Sequence, residues 1–412
     1  MSDDPIVIVG AGVAAHRAAE VLRGEGYAGG LVIFGDEAVD PYDRPPLTKH
    51  FLDPGAMPPY LRPSLADLGV DLRREHRVSR VDTGSRRVLC AGGESQPYQR
   101  LLIAVGAAPR RLPAVPARTP GVHELRTLHD ALALRAELGP QTGPELGSGR
   151  RTCVIGAGFI GCEVAASLRR LGHQVTLVEA AQAPMDRVLG AGIGDWVARW
   201  HRAEGVDVRL GVQVAASSAD AAGRIASITL SDGSVVPADL VIVAIGVCAR
   251  GAELAPDLAD PTGGLAVDEW CRTADPDVYA AGDCAQFWHP GYRRRLRLEH
   301  WTNARDQAAA AALSMLGRGA PYLPVPYFWS AQYDFRLQLV GHGTGWDEIE
   351  LDGDPAGRDF TARYLRDGQP VSVLTCNRPR VARQALIELG REFRRRAGLG
   401  AQQQQADTPD GG

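Results

Sequence analysis

A single lysine, Lys49, ends an irregular run of prolines and charged residues at positions 41–49, with the sequence PYDRPPLTK. Every other side-chain cation of the chain, histidine aside, is an arginine. An ammonium is a compact point charge on a flexible stem, whereas a guanidinium is a broad planar fork. A lysine at this one position therefore indicates a tight site that needs a small cation. The alternative is an ordinary residue on a solvated helix end, and the rest of the sequence decides between the two.

The elements that would present this lysine to a ligand begin with a glycine-rich turn near the N-terminus. Its pattern, Gly-x-Gly-x-x-Ala, lies between a predicted strand and a predicted helix, where free N–H groups and the helix dipole favour a pyrophosphate. An acid about 20 residues further on, after a second strand, is placed to accept a ribose hydroxyl. The pattern comprises the strand and turn at 5–12 with Gly10 and Gly12, Ala15, helix 14–23, strand 31–34, and the acids Asp36 and Glu37.

Residues 151–180 repeat this design with the full fingerprint Gly-x-Gly-x-x-Gly. A carboxylate at the end of the second strand accepts both hydroxyls of an adenosine ribose and repels a 2′-phosphate, and no arginine follows it directly. We therefore expect NADH rather than NADPH, with a merely exposed acid as the alternative interpretation of Glu179. The pattern comprises strand 152–155, Gly156, Gly158, Gly161, helix 163–171, strand 175–178 and Glu179.

Two dinucleotide motifs in one chain favour a flavoprotein that holds FAD in one domain and a nicotinamide coenzyme in another, with a hydride passing between stacked rings. A later strand at 278–283 fits this interpretation because it ends in Gly282 and Asp283. An acid there is placed to reach the ribitol and pyrophosphate of the flavin. A helix N-cap is the alternative role for Asp283, and one carboxylate can fill both.

The predicted fold class is α/β, with two Rossmann-like dinucleotide-binding domains and a C-terminal α+β domain. The apolar run 239–246 resembles 101–106 and returns the chain to the first domain. The predicted units are a discontinuous FAD-binding domain (1–112 and 247–324), an NADH-binding domain (113–246), a C-terminal domain (325–399) and a disordered tail (400–412).

Local patterns predict the elements between these motifs. Strands within 76–105 are expected to join the first sheet, and Thr48 or a neighbour is expected to cap a short helix at 49–52. The other predictions are a loop at 139–150, an Ala-rich helix at 300–316, a linker at 321–326, strands at 335–341, 359–365 and 370–376, and a closing helix at about 379–396.

Composition excludes several function classes. The formal net charge of -4 gives no indication of nucleic-acid binding. The seven cysteines show no C-x-x-C and no metal-ligand spacing with histidine, which argues for a reducing compartment and against a disulfide framework, a zinc site or an iron–sulfur centre. Neither a signal peptide nor an apolar run long enough to span a bilayer is present. We therefore expect a cytoplasmic protein without a metal site.

Several motifs occur in order and together resemble the NADH-dependent ferredoxin reductases of bacterial oxygenase systems, the putidaredoxin-reductase-like group. The resemblance covers about residues 5–390. Its Pro-Pro-Leu-Thr-Lys and Phe-Trp-Ser pieces are specific, whereas the glycine fingerprints are shared with the wider glutathione-reductase-like superfamily. The motifs are Gly10-x-Gly12, residues 41–49, 156–163 and 280–283, Glu-His-Trp-Thr-Asn-Ala at 299–304, and Phe-Trp-Ser at 328–330.

The resemblance implies roles for individual residues. Lys49 resembles a lysine near flavin N5, and Glu163 resembles its partner at the start of the nicotinamide-domain helix. For Arg187 a solvated loop arginine is the alternative, and for Trp329 a core tryptophan. The positions assigned to FAD are Ala14, Asp36, Arg126, Asp283 and Trp301, and Arg44 and Val78 are further predicted cofactor-binding residues. The positions assigned to NADH are Ile160, Glu179, Arg187, Gly246, Glu299 and Trp329.

The mechanism implied by this resemblance has no thiol step, because no cysteine occurs before Cys90 and Lys49 occupies the region where disulfide reductases of the superfamily carry their redox cysteine. NADH is expected to reduce the flavin by hydride transfer, with Lys49, oriented by Glu163, stabilising the reduced flavin. Electrons then leave singly to a two-iron ferredoxin that serves a cytochrome monooxygenase or a Rieske dioxygenase.

Ferredoxins are typically acidic, so a basic docking surface is expected on a monomer or weak dimer, with no nucleic-acid or membrane partner. Candidate segments are 293–297 and 391–396, with Arg44 nearer the flavin, and solvated charge is the alternative. Two other functions stay open. One is a quinone-linked type II NADH dehydrogenase, for which the basic helix around 381–396 would bind a membrane. The other is a non-catalytic NADH-sensing flavoprotein resembling apoptosis-inducing factor.

Overall fold

The computed structural model describes residues 4–139 and 149–398, so the predicted tail and most of the predicted loop at 139–150 lie outside the described residues. The first elements are β1 (Ile6–Val9), α1 (Val13–Gly24), β2 (Leu31–Phe34), β3 (Asp71–Arg73), β4 (Val78–Asp82), β5 (Arg87–Cys90), β6 (Ser95–Pro97), β7 (Arg100–Ile103) and β8 (Ala107–Pro109). Next come β9 (Val122–His123), α2 (Leu128–Leu138), β10 (Arg151–Ile155), α3 (Phe159–Arg170), β11 (Gln174–Glu179), α4 (Asp186–Leu189), α5 (Ala191–Ala203), β12 (Asp207–Leu210), β13 (Val214–Ala219), β14 (Ile225–Leu230), β15 (Val235–Pro237), β16 (Leu240–Val243) and β17 (Val247–Ala249). The last are β18 (Leu265–Val267), β19 (Val278–Ala280), β20 (Ala285–His289), β21 (Arg294–Leu296), α6 (Trp301–Met315), β22 (Tyr327–Gln332), β23 (Phe335–Gly341), β24 (Glu348–Asp354), β25 (Asp359–Arg366), β26 (Gln369–Cys376) and α7 (Pro379–Arg396).

Two five-stranded sheets carry the two glycine turns, and this architecture confirms the predicted α/β fold class. The strand order is β19-β7-β1-β2-β3 in the first sheet and β12-β11-β10-β16-β9 in the second. The strand before each glycine turn is central, and both of its neighbours run parallel to it. Every residue of β1, β2 and β16 is buried, as expected for a sheet covered on both faces. The glycine turns therefore lie at the carboxyl edges of the sheets, where such folds bind ligands.

A short antiparallel ribbon links the two parallel sheets. Strand β8 pairs with β17, and Ala108 lies opposite Cys248. The segment that leads into the second sheet, β8, therefore lies next to the segment that leaves it, β17. The ribbon lies close to the predicted domain boundaries at 112 and 247, which stay predictions.

Two local predictions were wrong, and one predicted helix is present with a different start. Within 76–105 only β7 joins the first sheet, while β4–β6 form a separate antiparallel sheet with half-exposed strands. The predicted helix at 163–171 begins at Phe159, directly after its glycine turn, and ends at Arg170. The predicted helix at 49–52 is replaced by single 3₁₀ turns at Pro45–Thr48 and His50–Leu52, and Lys49 between them has the non-helical dihedral angles φ -123° and ψ -123°.

The C-terminal part is an antiparallel sheet, in the order β22-β23-β26-β25-β24, covered by α7. The predicted strands at 335–341, 359–365 and 370–376 and the closing helix at 379–396 are present. Strand β22, which carries the Phe-Trp-Ser motif, was not predicted. Strand β24 was also missed: only Ile349 and Leu351 alternate with its acids, and it is exposed along almost its whole length.

Candidate active site

One cleft brings together residues from the carboxyl edges of both parallel sheets and from the C-terminal sheet. Its volume is about 580 Å³, and both Lys49 and Glu163 line it. Most predicted cofactor-binding residues also line it: Gly10, Gly12, Ala14, Asp36, Glu37, Arg44, Val78, Arg126, Gly158, Ile160, Gly246, Gly282, Asp283, Glu299, Trp301 and Trp329. The predicted residues outside the lining are Ala15, Gly156, Gly161, Glu179 and Arg187.

The first glycine turn leaves its backbone open to a ligand. Gly10 has a φ of +103°, and a Cβ there would lie 2.4 Å from the carbonyl oxygen of Ala104. A Cβ on Gly12 would meet nothing within 4 Å, so open space lies beside this residue. Helix α1 begins directly after Gly12 and has no acid in its first turn. No carboxylate of this first turn competes for its free N–H groups, and such a helix start fits a pyrophosphate.

The acids after β2 lie further along the strand end than the acid of the second motif. By strand register Phe34 and Val178 are equivalent, so the position that matches Glu179 is Gly35. Asp36 is the first acid after it, and its side chain is 53% exposed. Asp36 therefore follows its strand one residue later than Glu179 does, and its contact with a ribose stays a prediction.

Glu37 has a different task, because it anchors the loop that carries the lysine. It accepts hydrogen bonds from the Tyr42 hydroxyl at 2.7 Å and from Arg44 at 3.2 Å. The Tyr42 oxygen in turn accepts the backbone N–H of Leu128 at 2.8 Å. Burial raises the pKa of Tyr42, which keeps the hydroxyl proton available for Glu37. These bonds fix the start of the 41–49 loop against α2.

The second glycine turn holds α3 close to its sheet and holds Glu179 beside the turn. A Cβ on Gly161 would lie 1.8 Å from the carbonyl oxygen of Gly156, so only glycine permits this approach. The carboxylate of Glu179 accepts the N–H of Ala157 at 2.6 Å and the N–H of Ala181 at 2.9 Å. Glu179 is thus fixed at the turn rather than loose in solvent, and its role toward the ribose stays a prediction.

Lys49 and Glu163 form a short ion pair, with 2.6 Å between Nζ and Oε2. The lysine also donates to the carbonyl oxygen of Pro45 at 3.0 Å. The side chain of Glu163 is 4% exposed and that of Lys49 is 19% exposed. A buried carboxylate needs charged or hydrogen-bonded partners, and here the partner belongs to the other dinucleotide fold.

Two hydroxyl groups complete the surroundings of Glu163. Thr48 donates to Oε2 at 2.6 Å, and Ser330 donates to Oε1 at 2.8 Å. One turn further along α3, the hydroxyl of Ser167 donates to the carbonyl oxygen of Thr48 at 2.8 Å. Thr48 was predicted as a possible helix cap. It does not cap a helix, and its hydroxyl donates to Glu163 instead. One face of α3 holds the loop in place.

Arg126 and Asp283 form an ion pair of 3.0 Å at the cleft wall. Burial lowers the pKa of Arg126, and its buried Nε has no hydrogen-bond partner within the described ranges. This orphaned donor fits a polar ligand in the cleft. The element after Asp283 is strand β20, so the helix-cap alternative does not apply to this carboxylate.

Two tryptophans line the cleft, Trp301 at the start of α6 and Trp329 on strand β22 of the C-terminal sheet. The rings of Trp301 and Trp329 meet edge to face at 5.8 Å, and Trp329 stacks on Tyr327 at 6.1 Å. The indole N–H of Trp301 donates to Asp43 at 2.8 Å. Both tryptophans are partly exposed and line the cleft, so a core role does not describe Trp329.

Some cleft residues had no predicted role, among them His300, His342 and Thr344. The ring of His300 lies 4.8 Å from that of Phe328, and burial lowers its pKa to about 4. Its Nδ1 has no partner in the part of the chain that the structure describes. His300 lies inside the 299–304 motif, and this motif could have indicated that it belongs to the site. His342 and Thr344 follow β23 and belong to no motif, so the sequence did not indicate them.

Two further predicted residues outside the lining are Ala15 and Arg187. Ala15 is fully buried beneath the first turn, where a small side chain lets the helix approach the sheet. Arg187 is exposed on the short helix α4, so its contact with a coenzyme stays a prediction.

No cysteine lines this cleft. The seven cysteines are all free thiols, and only Cys248 among them is exposed. Burial raises the pKa of Cys162, the neighbour of Glu163 in sequence, and so keeps that thiol protonated. The cleft therefore offers charge and hydrogen bonds but no redox disulfide.

This architecture defines a class of oxidoreductase that holds two dinucleotides at facing edges of two parallel sheets. The chain belongs to the pyridine nucleotide-disulphide oxidoreductase family, whose model matches residues 4–308. A second family model, the reductase C-terminal domain, matches residues 327–403.

Its relatives place it among the ferredoxin reductases of oxygenase systems. It is 39% identical to the ferredoxin reductase subunit of a 5,5′-dehydrodivanillate O-demethylase from Sphingobium, over 90% of each chain. It is 34% identical to a putidaredoxin reductase of Pseudomonas putida, over 92% of this chain and 90% of that protein. The reductase in a covalent putidaredoxin reductase–putidaredoxin complex superposes with a TM-score of 0.90 at 33% identity, over 95% of this chain and 94% of that one. FAD and NADH are accordingly the cofactors of this protein.

Proposed function

We propose that the protein is a FAD-dependent NADH:ferredoxin oxidoreductase that delivers electrons to a two-iron ferredoxin serving a cytochrome monooxygenase or a Rieske dioxygenase. One observation carries this proposal. The first glycine turn, the start of α3 and the Lys49–Glu163 pair meet in one cleft whose lining contains no cysteine. Such a site supports hydride transfer between two dinucleotides and has no thiol to take the electrons onward.

Bound FAD would supply the chemistry, since a flavin accepts a hydride from NADH and releases electrons one at a time. The chain's own residues bind and orient. The turn at Gly10 and Gly12, with the N-terminus of α1, takes the pyrophosphate. Asp36 takes the adenosine ribose, and Arg126 with Asp283 takes the ribitol side.

Lys49 supplies positive charge at the cleft wall, where it stabilises negative charge that arrives with the electrons. Glu163 holds the ammonium at 2.6 Å, and the low exposure of both side chains excludes most water. Charge–charge attraction is stronger in such a site than in bulk water. An arginine would not serve equally, because the space between Pro45, Thr48 and Glu163 suits a compact ammonium.

The coenzyme side is formed by the start of α3 and the end of β16. Ile160 is 46% exposed on the first turn of α3, and Gly246 follows β16 with a φ of +94°. Glu299 lies across the cleft in an ion pair with Arg297. Glu179 and Arg187 lie outside this lining and would reach the adenosine half of NADH.

The ferredoxin would dock beside the two tryptophans of the cleft, where two arginine side chains have no acidic partner in the described part of the chain. Arg305 lies 4.9 Å over the ring of Trp301, and Arg336 lies 5.6 Å over the ring of Trp329. Neither guanidinium forms an ion pair with any residue of 4–139 or 149–398. An acidic partner would therefore find two unpaired cations beside the two tryptophans of the cleft.

The basic segments predicted for docking come together, although part of their charge is already engaged. Arg294 donates to Thr344, Arg297 pairs with Glu299, and both Arg395 and Arg396 pair with Glu392. Arg396 also donates to the carbonyl oxygen of Gly291 at 3.2 Å. Arg293 and Arg295 remain exposed there. We regard this patch as a second, weaker candidate for docking.

A quinone-linked function is less well supported. Helix α7 buries Ala382, Ala385, Leu389 and Phe393 and packs on β23 and β26, so this apolar face is covered by protein. Among the described residues, no helix is both long enough and apolar enough to cross a bilayer.

Stopped-flow absorbance tests the proposal. The holoenzyme is reduced with NADH and then mixed with a two-iron ferredoxin or with a short-chain ubiquinone. Rapid flavin reduction followed by faster reoxidation with ferredoxin supports the proposal. Faster reoxidation by the quinone contradicts it, and rapid reduction without transfer to either acceptor favours the NADH-sensing alternative.

A further inference from the structure

A buried chain of hydrogen bonds leads from Glu163 away from the cleft. Ser330 donates to Glu163 at 2.8 Å, and the amide nitrogen of Gln332 donates to the hydroxyl of Ser330 at 3.1 Å. The amide oxygen of Gln332 lies 2.9 Å from Nε2 of His201, and the hydroxyl of Tyr333 lies 2.9 Å from Nδ1 of the same ring. The chain therefore runs from the flavin cleft through β22 to helix α5.

The chain has one direction. Gln332 uses its nitrogen on Ser330, so its oxygen must accept from Nε2 of His201. The Nδ1 of His201 then lacks a proton and accepts from Tyr333. Every hydrogen is donated toward Glu163, so the chain presents the positive ends of its dipoles to the carboxylate. Bonds aligned in this way strengthen one another in a low-dielectric interior.

The chain is also dry. Ser330 and His201 are fully buried, and Gln332 is 2% exposed. Burial lowers the pKa of His201 to about 4, so the ring is neutral near pH 7 and provides one donor and one acceptor. The amide of Gln332 has no labile proton to relay between Ser330 and His201. The chain is therefore suited to hold a charge in place rather than to conduct protons.

The outer end of the chain is itself fixed. Tyr333 has a φ of +48°, in the left-handed region that a bulky side chain rarely adopts, and its ring lies edge-on to His201 at 5.2 Å. The neighbouring Arg358 pairs with Glu204 of the segment after α5 at 2.8 Å and with Asp334. The turn between β22 and β23 is thus bound to the end of α5.

We propose that His201 and Gln332 are positioning residues that act through Ser330 on Glu163, holding its carboxylate aimed at Lys49 and so setting the charge balance beside the flavin. This inference rests on the proposed role of Lys49 and Glu163 toward FAD. Neither His201 nor Gln332 lines the cleft, so their effect passes through the chain alone.

The first test is Gln332→Glu, which keeps the shape and replaces the donor to Ser330 by an acceptor. Two carboxylates then compete for one hydroxyl hydrogen, and negative charge is added behind Glu163. We expect the two-electron midpoint potential of bound FAD to fall by about 30 mV, a tenfold change in the reduction equilibrium. A potential equal to that of the wild type overturns the proposal.

The second test compares two substitutions of His201. His201→Leu removes the donor to Gln332, and we expect flavin reduction by NADH to slow about tenfold. His201→Gln offers an amide N–H near the Nε2 position, and we expect a rate within about twofold of the wild type. His173→Leu is the matched control, because His173 is 3% exposed and hydrogen-bonds the N–H of Arg150, away from the cleft. Equal slowing in all three variants would show a packing effect and overturn the proposal.

The third test reads the ring directly by ¹⁵N NMR of histidine-labelled holoenzyme with oxidised FAD. The proposal requires His201 to be the Nε2–H tautomer, and Tyr333→Phe should raise the Nδ1–H fraction. A wild-type ring protonated at Nδ1 contradicts the direction of the chain. The potential and the NMR signal do not depend on any electron acceptor, so a failure of ferredoxin transfer and a failure of this inference are separate results.

Discussion

The ammonium of Lys49 lies 2.6 Å from the carboxylate of Glu163, and this contact joins a proline-rich loop of the first dinucleotide fold to a helix of the second. Truncating one partner of such a pair leaves a buried charge without a counter-charge. The resulting loss of folding free energy is larger than the net stabilisation that the intact pair provides. The pair therefore couples the position of the loop to the position of α3, and both line the same cleft.

Lys49→Arg is expected to retain FAD and to slow flavin reduction by roughly tenfold to a hundredfold. The broad guanidinium cannot occupy the space between Pro45, Thr48 and Glu163 without displacing them, and a displacement of about 1 Å at a reacting centre has an effect of this size. Stopped-flow reduction by NADH measures it.

The matched control is Arg170→Lys. It makes the reverse substitution, arginine to lysine, at the same interface. Arg170 pairs with Asp53 at 2.5 Å, and its side chain is 49% exposed. This variant should reduce at the wild-type rate. A Lys49→Arg enzyme that is equally fast would remove the role given to Lys49.

Glu179→Ala should raise KM for NADH about tenfold and narrow the preference for NADH over NADPH. The substitution removes the acceptor for a ribose hydroxyl and the negative charge that repels a 2′-phosphate. It also frees the N–H groups of Ala157 and Ala181, which are then available to a phosphate. Steady-state kinetics with both coenzymes and a small artificial electron acceptor measures the ratio, and an unchanged ratio would exclude Glu179 from coenzyme selection.

Replacing both Arg305 and Arg336 by glutamine should lower kcat/KM for ferredoxin about tenfold and weaken its dependence on salt. Each removes one unpaired cation beside a cleft tryptophan, and an acidic partner is attracted over long range by such charges. Reduction of ferricyanide, which needs no protein docking, should change less than twofold.

The paired control for docking is the double change of Arg293 and Arg295 to glutamine on the second basic patch. We expect a smaller loss with ferredoxin than at Arg305 and Arg336. The reverse order would place the docking site at the segments first predicted from sequence.

Acid should weaken the fold through buried neutral histidines. Burial lowers the pKa of both His201 and His289 to about 4 in the folded state, against about 6.5 when unfolded. Below about pH 6.5 the unfolded chain gains protons that the folded chain does not, so stability is lost as the pH falls toward 4. The loss is at most about 1.4 kcal/mol per pH unit for each ring.

His289→Gln tests this sign, because the amide can still donate to the carbonyl oxygen of Pro324, which His289 meets at 2.8 Å. The glutamine of the variant cannot titrate. As the pH falls from 7.5 to 5.5, the thermal midpoint of the wild type should therefore fall further, so that the midpoint of the variant approaches or exceeds it. A constant difference between the two proteins across this range would contradict the assignment.

Local patterns were enough to predict the glycine turns, their flanking strands and the closing helix, because these depend on residues close in sequence. Strand β24 escaped prediction because its residues face solvent on both sides. The offset of Asp36 from the position equivalent to Glu179 appears only in the strand register. Thr48 was assigned to a helix cap because its true acceptor, Glu163, is 115 residues away in sequence.

The candidate site was predicted largely through short motifs. The site contacts that were missed join residues far apart in sequence, which such motifs do not reveal. His300 stands within a motif, yet nothing in the sequence indicated that its ring faces Phe328. The hydrogen-bonded chain from Glu163 to Tyr333 joins three segments far apart in sequence and shows no spacing pattern. Such contacts are decided by tertiary packing, which local propensity does not encode.

The solitary lysine also makes the protein a convenient object for amine chemistry. Lys49 carries the only side-chain amine of the chain, and its side chain is 19% exposed in the cleft. Reductive methylation with ¹³C-formaldehyde would therefore place one side-chain NMR probe in the molecule, distinct from the terminal α-amine. A lysine-specific protease would likewise have one site to cut, and the rate of that cut would report when the loop opens.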